Sequence, residues 1–125
     1  MARHSLFVSV RCACQGIGYA LRTQRNMRLH LAIGVAVLAL SAWVPMEAAA
    51  RAVLWLAVAV VLVAELLNTA LEVLVDVVSQ EHRQDAKLIK DLAAGAVLVG
   101  CVLAAAIGCA LLVPPVLAQL SAWLH

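Results

Sequence analysis

The sequence predicts an all-α integral membrane protein, with an N-terminal amphipathic surface helix followed by three transmembrane helices. Three observations carry this. Of 125 residues, 66% are hydrophobic and 13% charged, and mean hydropathy is +1.02. A soluble domain is about half apolar and about a quarter charged, and one small core cannot bury this much apolar side chain. Long charge-free runs recur along the chain, and basic residues gather on alternate sides of them. The same composition argues against a soluble globular domain, a disordered chain and a nucleic-acid binder. A net charge of +2 with 4% aromatics offers neither a strong basic field nor a stacking platform. The chain, 1–125, reads as a single domain.

Residues 5–28 place Leu6, Val10, Cys14, Ile17 and Leu21 at helical spacing, with Arg11, Gln15 and Arg22 elsewhere on the wheel. This is the pattern of a helix lying on a membrane surface, its arginines toward anionic headgroups. No cleavable leader is expected, because five arginines and no apolar core precede residue 29. Residues 29–46 are free of charge and long enough for a first span, with Trp43 and Pro45 at its far end. Glu47 and Arg51 read as a solvated pair in the short loop that follows. Residues 52–78 predict one helix of about 40 Å, longer than the roughly 30 Å hydrocarbon core. Residues 79–91 are polar. Residues 92–113 form the third span, which Pro114 and Pro115 are expected to stop. The tail beyond them reads as a frayed or interfacial segment, with Trp123 as an anchor.

Arg3, Arg11, Arg22, Arg25 and Arg28 precede the first span, and Arg83, Lys87 and Lys90 lie in the second connection. Only Arg51 lies in the first connection. The N-terminus and residues 79–91 are therefore expected in the cytoplasm. Cys12, Cys14, Cys101 and Cys109 form no metal-binding spacing and read as packing residues. Gly95, Gly100 and Gly108 suit close helix packing. His30 reads as an interfacial group, and Trp55 as lipid-facing or packed.

Glu65, Asn68, Glu72 and Asp76 are the informative residues. Spacings of three, four and four keep them within about 80° on one helix stripe. Ionisable groups in a bilayer default to function, whereas helix–helix hydrogen bonding is the plainer use of such a stripe. Glu65 lies about 10 Å below the cytoplasmic boundary, at the depth of a lipid hydroxyl whose proton a carboxylate can accept. Glu72, nearer water, suits a divalent cation. Lys90 and Asp91 are expected to open the third helix, where a lysine and a helix N-terminus favour phosphate. These groups suit phosphoryl transfer, which needs positioning and charge neutralisation.

The stretch ELLNTALEVLVDVVSQEHRQDAKLIKDLAAGAVLV, residues 65–99, resembles the signature of the small bacterial integral-membrane diacylglycerol kinases. Its pattern is E-x-x-N-[TS]-A-[IL]-E-x-x-V-D, then a short loop and A-K-D. Glu65, Asn68, Ala70, Glu72, Val75, Asp76, Lys90 and Asp91 match it. G-I-x-Y-A at 16–20 and R-N-x-R-x-H at 25–30 resemble the undecaprenol-kinase branch. The resemblance implies a homotrimer with active sites between neighbouring subunits, using MgATP to phosphorylate a membrane lipid, diacylglycerol or undecaprenol, at the bacterial inner membrane. It further implies Glu65 as general base, Asn68 in support and Glu72 as a Mg²⁺ ligand. Lys90 and Asp91 would meet the nucleotide phosphates, and Glu81, His82 and Arg83 would form a nucleotide-facing loop.

Two departures stand out. The family's second metal-binding Glu falls on Gln24, whose amide is a weaker ligand for Mg²⁺. The loop motif E-Y-H-x-L appears as Glu81-His82-Arg83-Gln84-Asp85. Two other classes compete. A small proton-coupled multidrug transporter needs four spans and a carboxylate near mid-membrane, whereas this chain shows three spans and carboxylates crowded toward one face. A structural membrane subunit would use the polar stripe only to join helices.

Overall fold

The computed structural model describes residues 6–78 and 83–124. They form four helices: α1 Leu6–Thr23, α2 Arg25–Trp43, α3 Ala48–Val78 and α4 Arg83–Trp123. Of these, α2, α3 and α4 are long and apolar enough to cross a membrane. The all-helical, three-span plan stands as predicted; several boundaries do not.

The surface helix was expected over 5–28 but ends at Thr23. Gln24 is extended (φ −101°, ψ 117°), and Arg25 begins the first span. The break follows from where the polar groups go. The Arg28 guanidinium donates to the carbonyls of Leu21 and Arg22, both at 3.1 Å, and Thr23 Oγ1 donates to the Tyr19 carbonyl at 2.9 Å. Carbonyls left open by a helix end are thereby satisfied. Within α1 only Ala20 is buried, and Leu6, Phe7, Val10 and Ile17 are exposed, so no other helix covers its apolar face.

The first span, expected over 29–46, ends at Trp43. Val44 takes an extended conformation (ψ 146°), as the residue before Pro45 is sterically pushed to do. The second span begins at Ala48 rather than residue 52, and closes at Val78 as expected. Arg51 is therefore helical and not half of a loop pair with Glu47. Its Nε donates to the Ser41 carbonyl at 3.0 Å, and Trp55 Nε1 donates to Ser41 Oγ at 3.3 Å. These bonds hold the end of α2 against the start of α3.

The third span was expected over 92–113 and to stop at the prolines. Instead α4 runs from Arg83 through Pro114 and Pro115 to Trp123. Each proline removes one helix hydrogen bond, but spans tolerate this where packing compensates. Here Leu111, Leu112 and Val116 flank the prolines and pack on a cluster with Val44 and Leu54. The tail does not fray: Trp123 meets Trp43 edge to face, with centroids 6.5 Å apart and planes at 61°.

Gly95, Gly100 and Gly108 make no close approach, since a Cβ on any of them would meet nothing within 4 Å. The close approach is at Gly34, where a Cβ would lie 2.7 Å from Val58 Cγ1. There α2 and α3 nearly touch. These two helices run antiparallel, Gln24 meeting Glu72 at one end and Ser41 meeting Trp55 at the other. In the α3–α4 pair, Asp76 meets Lys90 at one end and Leu54 shares the apolar cluster with Leu112 at the other. The face of α3 toward its neighbours thus has an apolar end at Leu54 and a polar end at Glu72.

Candidate active site

One face of α3 runs from the apolar end to the polar end. Leu54, Val58, Val61, Glu65, Asn68 and Glu72 follow at alternating steps of four and three, the spacing that keeps side chains on one side of a helix. Leu54, Val58 and Val61 line a cavity of about 500 Å³ between α2, α3 and α4. Glu65, Asn68 and Glu72 continue the same face above it. Glu65 is 2% exposed and Asn68 8%. Thr69 Oγ1 donates to the Glu65 carbonyl at 2.9 Å.

Both oxygens of Glu72 are held. Gln24 Nε2 donates to Oε2 at 2.8 Å, and Asn68 Nδ2 donates to Oε1 at 3.1 Å. The extended backbone at Gln24 is the break between α1 and α2. The same break that ends the surface helix therefore carries the amide to Glu72. The structure joins three of the expected site residues, Gln24, Asn68 and Glu72, in one cluster across two helices.

Asn68 Oδ1 is buried and has no partner among the described residues. A buried acceptor left unmade costs about 1–3 kcal/mol, so this oxygen marks a place for a donor or a cation. The Glu72 carboxylate and the neighbouring amide oxygens are hard ligands. Among the described residues, no group of three or more His, Cys, Asp or Glu side chains can hold a metal by itself. The donor set fits Mg²⁺, which takes one or two carboxylates and completes its shell with water and substrate phosphates.

Lys90 and Asp91 do not open a helix. Because α4 begins at Arg83, they lie two turns inside it, and the helix N-terminus is not at their disposal. Lys90 pairs with Asp76 across α3 and α4, both partly exposed, and Asp91 is exposed. Glu81 and His82 lie outside the described residues, and Arg83 is the first residue of α4.

One residue near the site escaped its sequence reading. His30 is not simply interfacial: its ring lies 3.8–3.9 Å from Cys101 Sγ and lines the cavity. Cys101 packs against that ring, in keeping with its reading as a packing residue. The available signal was spacing, since Gln24, Met27, His30 and Gly34 follow one face of α2 at helical steps.

Known proteins carry the same arrangement of sequence. The chain is 48% identical over 114 residues to a Synechocystis diacylglycerol kinase, covering 90% of this chain and 65% of that one. It is 37% identical over 108 residues to the Bacillus subtilis undecaprenol kinase, covering 86% and 88%. It is 34% identical over 82 residues to the Escherichia coli diacylglycerol kinase, covering 63% and 67%. The family described as prokaryotic diacylglycerol kinase matches residues 11–112, a range that holds α2, α3 and the whole polar cluster. With α2, α3, a buried Glu65 and a clamped Glu72 inside that match, the chain belongs to the prokaryotic diacylglycerol kinase family.

Proposed function

We propose that this protein is an ATP-dependent lipid kinase that transfers the γ-phosphate of MgATP to the hydroxyl of a membrane lipid, diacylglycerol or undecaprenol. The observation that most supports this is the buried Glu65 carboxylate, two turns along α3 from a Glu72 held at both oxygens. Glu65 is the general base. It takes the proton of the lipid hydroxyl as the hydroxyl oxygen bonds to the γ-phosphorus and the bond to the β–γ bridging oxygen breaks. ADP leaves, and the products are a lipid phosphate and a protonated Glu65. Such a transfer relies on placement and charge neutralisation more than on covalent help from the protein.

Bound Mg²⁺ supplies neutralisation of phosphate charge. Glu72 and the Asn68 amide oxygen would hold it, with Gln24 steering the Glu72 carboxylate. Lys90 and Asp91 belong to the nucleotide side, together with Glu81, His82 and Arg83. The Lys90–Asp76 pair is a surface pair, of a kind worth about 0–1 kcal/mol, so Lys90 exchanges Asp76 for a phosphate at little cost. The working form is a homotrimer in the bacterial cytoplasmic membrane, with its N-terminus in the cytoplasm and sites between subunits. The large apolar surface that α2, α3 and α4 expose supports the membrane location, and the trimer rests on the family resemblance.

The test uses purified protein in mixed micelles with radiolabelled MgATP and either diacylglycerol or undecaprenol. Labelled lipid phosphate is expected. No transfer to either alcohol would sink the kinase reading.

A further inference from the structure

Arg51 is the only Lys or Arg between Arg28 and Arg83. It lies twenty-one residues before Glu72 on α3, about 32 Å at about 1.5 Å per residue. The hydrocarbon core is about 30 Å thick. With Glu72 at one headgroup boundary, Arg51 therefore falls at the other. Trp43, Trp55 and Trp123 are exposed at the same end, as aromatic rings at a membrane–water interface commonly are. The Arg51 side chain is half-buried and held in place. Its Nε donates to the Ser41 carbonyl at 3.0 Å. Ser41 is wholly buried; its hydroxyl donates to the Leu38 carbonyl at 2.8 Å and accepts from Trp55 Nε1 at 3.3 Å. The bond to Ser41 fixes one edge of the guanidinium and leaves the Nη edge open. Among the described residues, no acceptor bonds either Nη and no carboxylate pairs with Arg51. Glu47, one turn earlier, is exposed and makes no ion pair with it. A half-buried cation without an anion in its own chain favours one from outside. At this depth in a bilayer that anion is a phosphate, whose oxygens match the guanidinium fork.

We propose that Arg51 binds the phosphate of a phospholipid in the leaflet opposite the polar cluster. The Nη edge donates to two phosphate oxygens while Nε stays on Ser41, so the bound lipid ties the end of α2 to the start of α3. In the topology proposed above this is the outer leaflet. The occupant is a phospholipid and not free phosphate, because the next turn of the same helix face presents the exposed Trp55 ring, against which an acyl chain lies. The site is about 21 Å along α3 from Glu65 and takes no part in phosphoryl transfer.

Native mass spectrometry in an uncharged detergent counts the lipids that the protein retains. Three additions are compared: phosphatidylglycerol, a galactolipid with the same acyl chains and no phosphate, and inorganic phosphate. Other arginines also meet headgroups, so the quantity read is the difference between the wild type and Arg51→Gln. The wild type is expected to hold one more phosphatidylglycerol per chain, bound about tenfold more tightly than the variant binds it. Galactolipid and inorganic phosphate should give no difference between the two proteins. A second measurement needs no variant. In phosphatidylglycerol bilayers, solid-state NMR of the wild type labelled with carbon-13 arginine should show dipolar contact between Arg51 Cζ and lipid phosphorus. Equal phosphatidylglycerol counts in the two proteins, together with no phosphorus contact at Arg51, overturn the site. A difference with inorganic phosphate as large as that with the lipid overturns a phospholipid as the occupant. Neither measurement involves ATP or turnover, so each result stands whichever way the kinase assay falls.

Discussion

Glu65 and Glu72 share a helix face, yet their surroundings suit them to the different work proposed for them. Glu65 is almost wholly buried, and no side-chain donor among the described residues bonds its carboxylate, whereas Glu72 accepts from amides at both oxygens. A base must be free to take a proton; a ligand must be held still. Glu65→Gln keeps the shape and removes the proton acceptor. Turnover is expected to fall by about 10²–10⁴, the usual contribution of a general base, with ATP binding and helical content retained. Wild-type turnover in that variant would remove Glu65 from the role. Gln24 stands where the family resemblance implies a metal-binding Glu. Gln24→Glu puts a second carboxylate beside Glu72, and the Mg²⁺ concentration for half-maximal rate is expected to drop. An unchanged Mg²⁺ dependence, by activity and by direct metal titration, would show that position 24 does not face the metal. The stripe from Glu65 to Asp76 was legible as spacing alone. The clamp on Glu72 was not, because Gln24 lies 48 residues away along the chain and reaches it only through the antiparallel packing of α2 on α3.

At the level of helices, local signals and packing divide the outcome. Trp43 and Pro45 marked the end of α2 correctly, since a steric rule acts there on adjacent residues. Pro114 and Pro115 signalled a stop that did not occur, because contacts from Leu112 and Val116 to a distant cluster outweigh two lost hydrogen bonds. Trp123→Ala should therefore lower the thermal midpoint, losing the edge-to-face contact worth about 0.5–1.5 kcal/mol beyond its buried area. An unchanged midpoint would mean the end of α4 is not anchored on α2. Gly34 offers a second test. Gly34→Ala drives a methyl group into Val58 Cγ1, and a β-branched side chain has little room to turn. A loss of about 1–3 kcal/mol is expected from such overpacking, and Val58→Ala in the same protein should restore the midpoint. The glycines of α4 drew attention in the sequence only because small residues often mark helix contacts; in space they face open surroundings.

For the whole molecule, the proposed topology rests on charge. With basic residues in α1, at the start of α2 and in the first two turns of α4, an odd number of spans puts the two chain ends on opposite sides. In intact cells, a membrane-impermeant thiol reagent should spare Cys12 and Cys14, while a C-terminal tag should be reached by externally added protease. The reverse pattern would invert the assignment. Composition, three apolar runs and the spacing of a few carboxylates were enough to determine a three-span helical protein and most of its candidate site, because hydropathy and helical periodicity are properties of neighbours in the chain. Tertiary structure alone decided which residues meet. It set Gln24 on Glu72, withdrew Lys90 from a helix end to pair with Asp76, carried α4 past its prolines, and brought His30 against Cys101. Those outcomes depend on the register between helices, and register is set by side-chain volumes such as the missing one at Gly34, which no single stretch of sequence contains.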